Sequence, residues 1–235
     1  MASHEREEVA LEELRAQQIQ QLEAMVEKRR SNFDYIRKLH GGDSFWLNSV
    51  LLRSEDLEKY VQDLPEQRPL QFFYLALSLG KILDMAPGAP TVRALCQLLE
   101  EFEYHFSNSA LQLVKYTSSR QSDCVYPQYS AAELDPEDTR SGLYRFQNEV
   151  VYLHLHTPHV PFPLDYIEVV HSLCDVLGLI YNKFLEEDCW QSQAVFESLV
   201  RVDGPIKHHV INLVAKEFTD LSTTILRAEF EGLLR

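Results

Sequence analysis

Residues 165–187, "DYIEVVHSLCDVLGLIYNKFLEE", decide the fold. Asp165 stands where a helix N-cap belongs, and Glu168, three residues on, occupies the place of its capping-box partner. Behind that signal Ile167, Val170, Leu173, Leu177, Ile180 and Phe184 recur at helical spacing, while Val169, Val176 and Leu179 widen the apolar face beyond a single stripe. A helix apolar over so much of its circumference has to be largely buried.

The chain on either side supplies helical neighbours. Residues 5–39 hold no Gly or Pro and are rich in Glu, Gln, Leu, Ala and Arg, which predicts one long N-terminal helix. "HGGDS" (40–44) ends it with glycine and offers Asp43 or Ser44 as the next N-cap. Short helices are then expected over 45–53 and, capped by Ser54, over 55–64; longer ones follow over 69–85 and 91–106, with a continuation over 109–117. Helices over 190–201 and 206–234 close the chain, the last one carrying Pro205 in its first turn.

Two stretches break the helical pattern. "SSRQSDCVYPQYSAAELDPEDTRSG" (118–142) has few large aliphatics, two prolines and an acidic cluster, and predicts a mobile loop in which Tyr126 and Tyr129 are candidate partner-binding or modification residues. "YRFQNEVVYLHLHT" alternates Val151, Leu153 and Leu155 with Tyr152, His154 and His156, so a short strand or hairpin is expected near 144–157. The expected fold class is all-α. It is a multi-helix bundle organised as a long N-terminal helix (1–40), a first helical half (41–117), the loop (118–142) and a second helical half (143–235) that forms one compact domain with the first.

Composition narrows the function. With 45% apolar residues over 235 positions the chain can bury a sizeable core. A formal net charge of −14 opposes nucleic-acid binding and anionic membrane surfaces, both of which draw on clustered Lys and Arg. The one basic run, Lys28-Arg29-Arg30, sits among mixed charges and is read as a solvated helix face. Cys96, Cys124, Cys174 and Cys189 lie far apart without CxxC spacing, which suits a reducing, cytoplasmic location. "MASHEREEVALEEL" has no apolar core, so no signal peptide is expected. No apolar run reaches the ~20 residues of a membrane span.

Chemistry is sparse. His154 and His156, two apart on a strand, would share one face, and His159 is a third ligand candidate for a metal site. "HLHTPH" departs from the HxHxDH signature of metallo-β-lactamase-like hydrolases at Pro158, where that signature has an aspartate ligand. Glu168 and His171 match one ExxH element of di-iron bundles, but no second ExxH exists. His208 and His209 are expected on different sides of their helix. There is no Walker loop, GxGxxG, GxSxG or HExxH, so no cofactor is expected.

The expectation is therefore a non-enzymatic protein-interaction subunit or adaptor, with a metal-dependent enzyme using His154, His156 and His159 as the alternative. The long helix carries the candidate interface. Leu11, Leu22 and Phe33, and beside them Leu14, Met25 and Ile36, repeat at eleven residues, a nearly straight stripe suited to packing on the body or on a homo- or hetero-oligomeric partner. Gln18, Gln21 and Arg29 close to that stripe argue against a free-standing dimeric zipper.

Overall fold

The computed structural model describes residues 2–121, 141–186, 189–190 and 192–234. In chain order the elements are α1 (Ala2–His40), β1 (Ser44–Trp46), β2 (Val50–Leu52), α2 (Ser54–Gln62), α3 (Gln67–Leu83), α4 (Ala89–Phe106), α5 (Ser109–Ser118) and β3 (Arg120–Gln121). After these come β4 (Tyr144–Phe146), β5 (Glu149–Val151), α6 (Tyr166–Lys183), α7 (Gln193–Ile206), a π-helical turn (Lys207–Asn212) and α8 (Leu213–Leu233). The fold is an all-α multi-helix bundle with the long N-terminal helix, and its strands form two small sheets.

The helix that opened the sequence reading is the central one. Asp165 Oδ1 accepts the backbone N–H groups of Ile167 (3.0 Å) and Glu168 (3.2 Å), satisfying two donors that the first turn of α6 leaves free. α6 packs between α1 and α3. Along α1 the pairs Phe33–Tyr181 (ring centroids 5.6 Å) and Arg37–Asp175 (2.7 Å) set an antiparallel course. Along α3 the course is parallel: Tyr166 stacks on Phe72, and buried Lys183 donates its ammonium to the carbonyls of Leu83 and Met85, where α3 ends. Leu173, Leu177, Ile180 and Phe184 are fully buried. Leu179 is the exception at 55% exposure, because α1 and α3 leave one side of α6 uncovered.

α1 and α7–α8 lie side by side and run the same way. Gln18 meets Gln193, Arg29 meets Asp203 and His40 meets Phe218. Side chains buried on α1 are Gln18, Leu22, Val26, Arg29, Phe33, Ile36, Leu39 and His40. Leu22, Arg29 and Ile36 recur at seven residues, as do Val26, Phe33 and His40, so the working period is seven and not the eleven read from apolar residues alone. Arg29 and His40 hide that period because both are polar residues at core positions.

Several sequence expectations are corrected. Residues 45–53 form no helix: β1 and β2 make an antiparallel hairpin with Ser44 opposite Leu52 and Trp46 opposite Val50. Its turn puts Leu47 and Asn48 at φ 47° and 56°, the left-handed pair of a type I′ turn, and Tyr35 holds it there. The Tyr35 hydroxyl donates to Phe45 O (3.0 Å) and accepts from Leu47 N (2.8 Å), while Trp46 stacks between Tyr35 and Phe218. Asp43 and Ser44 therefore lead into a hairpin instead of capping a helix. Ser54 is the first residue of α2, whose N-terminus is closed by Arg53 N donating to Asp56 Oδ2 (3.2 Å).

The expected hairpin near 144–157 is present over 144–151, as β4 against β5, but it stops before the histidines. Ser118 ends α5, and Arg120–Gln121 pair in parallel with Tyr144–Arg145, so the loop is shorter at its start than expected. Residues 122–140 of it, with Tyr126, Tyr129 and Cys124, lie outside the described residues. Finally, Pro205 starts no new helix. It sits inside helix α7, which runs through the π turn into α8; Pro205 has no N–H to give to the preceding turn, and the i→i+5 turn follows within two residues.

Candidate functional site

The histidine cluster resolves into a strap. Residues 152–165 carry no regular secondary structure and cross the bundle as extended chain. The strap is latched by Glu101 of α4, a fully buried carboxylate. Its Oε1 accepts from Leu153 N (2.8 Å) and Gln97 Nε2 (2.7 Å), and its Oε2 accepts from His154 N (2.9 Å) and Leu155 N (2.8 Å). Four donors on one carboxylate satisfy its charge without a cation. Gln97 extends the latch by donating to Gly142 O (2.8 Å) and accepting from Gly142 N (3.1 Å). Further along, His156 N donates to Ser78 Oγ (2.9 Å) and Tyr74 Oη donates to Pro158 O (3.1 Å).

The strap uses the backbone N–H groups of His154 and His156. The His156 ring accepts from Lys81 Nζ through Nδ1 (3.2 Å), a contact with a cation where a metal ligand would need its lone pair free. Burial lowers the affinity of both rings for protons; nearby Glu101 opposes this at each, and Lys81 adds to it at His156. His159 is exposed. Among the described residues no three His, Cys, Asp or Glu side chains are grouped to hold a metal ion.

The other candidates have structural settings. Glu168 is exposed in the first turn of α6, and His171 Nε2 reaches Arg37 O of α1 at 3.3 Å. His208 and His209 do not diverge as an α-helix would make them. The π turn is broader and advances each residue by less than the α-helical 100°, and their ring centroids are 5.0 Å apart. Cys189 Sγ is buried and accepts from Gly88 N (3.1 Å); burial raises the thiol of Cys96 and takes Cys174 to about 12, so neither of these two is a thiolate near neutrality.

The stripe on α1 divides. Leu22, Phe33 and Ile36 lie in the protein's own core and Met25 packs against it, so these four are not surface for a partner. Leu11 and Leu14 remain exposed at 47% and 43%: Gln18 stands opposite Gln193, the first residue of α7, and the turns of α1 that precede it run past that start, with Arg15 half-buried at the junction. At the opposite end α1 stops near Phe218, and α8 continues past it. There Leu226, Phe230 and Leu233, spaced i, i+4, i+7, are 50 to 83% exposed. The sequence shows the spacing of these C-terminal residues, but only the position of α1 reveals that no described residue covers them.

Between the two ends the bundle is pinned by polar pairs that composition did not foretell. Arg29 is not part of a solvated basic face: it donates from Nε and Nη2 to the two carboxylate oxygens of Asp203, at 2.6 Å each, and Tyr181 Oη adds a third bond to Oδ1 at 2.6 Å. Burial pushes the Asp203 carboxyl up, but the Arg29 and Tyr181 bonds outweigh it and hold it below the usual aspartate range. No described helix is long and apolar enough to cross a membrane. In comparison with known proteins, no family model, curated protein or solved structure matches this chain.

Proposed function

We propose that the protein is a non-enzymatic interaction subunit that engages partners through the two helix ends projecting from opposite ends of its bundle. One observation carries this reading: Val9, Leu11 and Leu14 on α1 and Leu226, Phe230, Leu233 and Leu234 near the C-terminus are all at least 43% exposed, and they gather where each long helix outruns its neighbour. Helix-in-groove recognition uses apolar anchors at i, i+3, i+4 and i+7; Leu226, Phe230, Leu233 and Leu234 follow that spacing, and Leu11 with Leu14 supplies one i, i+3 pair. Charge states what the N-terminal groove would look like. Residues 2–17 carry Glu5, Glu7, Glu8, Glu12 and Glu13 against Arg6 and Arg15, so a basic rim around an apolar floor fits them.

The test uses the full-length protein in two variants, Leu11→Asp with Leu14→Asp, and Leu226→Asp with Phe230→Asp. Each is captured gently from cells and weighed intact by native mass spectrometry. Loss of a different protein partner from each variant, with unchanged thermal unfolding, supports two independent docking ends. Retention of every partner by both variants overturns the reading.

A further inference from the structure

We propose that the cleft beside the π-helical turn binds a small organic anion, a carboxylate with an aromatic or short acyl body. The cleft lies between α3, α4, α5 and the junction of the π turn with α8, and its volume is about 620 Å³. That is larger than the clefts beside His40 (440 Å³) and between α2 and α8 (520 Å³), and within the ~300–1,000 Å³ of small-molecule sites.

Its floor is apolar. Phe102 and Phe106 pack with ring centroids 4.9 Å apart, and Leu111, 48% exposed, stands at the wall. An organic body seated there gains burial against rings already fixed by the core: Phe102 is 4% exposed, and the edge of His209 packs on it at 5.4 Å. The π turn then sets the polar side. By winding wide it brings His208 and His209 to the same cleft, and Lys216 of α8 lines it with them.

Charge bookkeeping around the cleft selects the sign of the ligand. Arg68 is already held by Glu217 (2.8 Å), and Lys115 is shared by Glu103 (2.9 Å) and Glu100 (3.1 Å), so Lys216 is the cation at the cleft with no carboxylate in contact among the described residues. His208, His209 and Lys216 make no side-chain hydrogen bond or ion pair among the described residues. What remains is the Lys216 ammonium with the His208 and His209 rings beside it, above an aromatic floor; burial lowers the proton affinity of His209, so that ring offers an N–H donor and Lys216 the positive charge. A ligand that is apolar at one end and anionic at the other satisfies both halves.

The experiment is calorimetric titration of the full-length protein with 4-phenylbutyrate and with its neutral analogue 4-phenylbutanol. Saturable one-to-one binding of the carboxylate, at least about tenfold tighter than the alcohol, is expected. The variants Lys216→Glu and His208→Ala with His209→Ala should each weaken the carboxylate by at least about tenfold and leave the alcohol unchanged. Lys216 and His208 are exposed, so changes there spare the core; His209 is half-buried against Phe102, so unchanged thermal unfolding is required of the double histidine variant, and Leu226→Asp on the projecting end serves as the variant that must bind normally. No saturable binding of the carboxylate, equal binding of acid and alcohol, or carboxylate binding indifferent to these variants each overturns the proposal. The outcome is independent of whether the helix ends engage partners, because neither end lines this cleft.

Discussion

Arg29 and Asp203, 174 residues apart in sequence, form a two-pronged ion pair with both bonds at 2.6 Å, and their side chains are only 8% and 15% exposed. The pair fixes the register of α1 on α7, with Gln18 donating to Gln193 at 2.5 Å about three turns away. Removing one partner leaves the other charged in a site built for both.

Arg29→Met is thus expected to destabilise the protein by about 3–5 kcal/mol, since Asp203 loses its cation. Adding Asp203→Leu should recover part of that loss, because the stranded charge goes with it. Urea unfolding of the two single variants and the double variant provides the comparison, and strictly additive losses would refute the coupling.

The Glu101 latch predicts a local effect. In Glu101→Gln one oxygen becomes an N–H₂ group facing backbone donors, a clash expected to cost about 1–3 kcal/mol. Hydrogen exchange should speed up at Leu153, His154 and Leu155 while the amides of α6 keep their protection. Unchanged exchange across the strap would show that the latch is not what holds it.

His40 gives the stability a pH dependence. It is buried against Tyr166 and Phe218, and its Nδ1 bonds Ile36 O at 2.8 Å. Burial lowers its pKa from 6.5 to about 4, against the raising effect of the Ile36 bond. The unfolded chain then takes up a proton between pH 6.5 and 4 that the folded one does not, so this contribution is complete above pH 6.5. It is lost as pH falls toward 4, by roughly 3 kcal/mol in all. His40→Leu should flatten the difference between urea midpoints measured at pH 7 and pH 5; an identical slope in the variant would rule His40 out as the source.

The divided stripe on α1 separates core from surface. Leu22→Ala is expected to cost about 2–5 kcal/mol, whereas Leu11→Asp with Leu14→Asp should stay within about 0.5 kcal/mol per site. Thermal unfolding distinguishes the two. A large loss in the Leu11 and Leu14 variant would mean that this end of α1 is covered after all.

Helices were legible in the sequence because their signals are local. Apolar residues three and four apart, Asp165 at a cap, Gly42 at φ 79° after α1 and the breaks at Pro65 and "APGAP" all act within a few residues, so α1 to α6 fall close to where the pattern puts them. The histidine spacing was legible too, but its meaning was not. A two-residue repeat says that imidazoles share a face only if the segment is a strand, and Glu101, more than fifty residues upstream, holds it as a strap through its backbone.

What the sequence alone determined is an all-α bundle around a heavily apolar helix at 166–183, since such a helix has to be enclosed and its neighbours carry helical periods of their own. The tertiary structure decided the rest. It placed Gln18, Arg29, His40 and Glu101 inside, turned residues 44–52 into a hairpin anchored by Tyr35, opened the π turn after Pro205 and left the ends of α1 and α8 uncovered. Each of these depends on a partner distant along the chain, and a polar residue at a core position cannot be told from a surface one until that partner is in place.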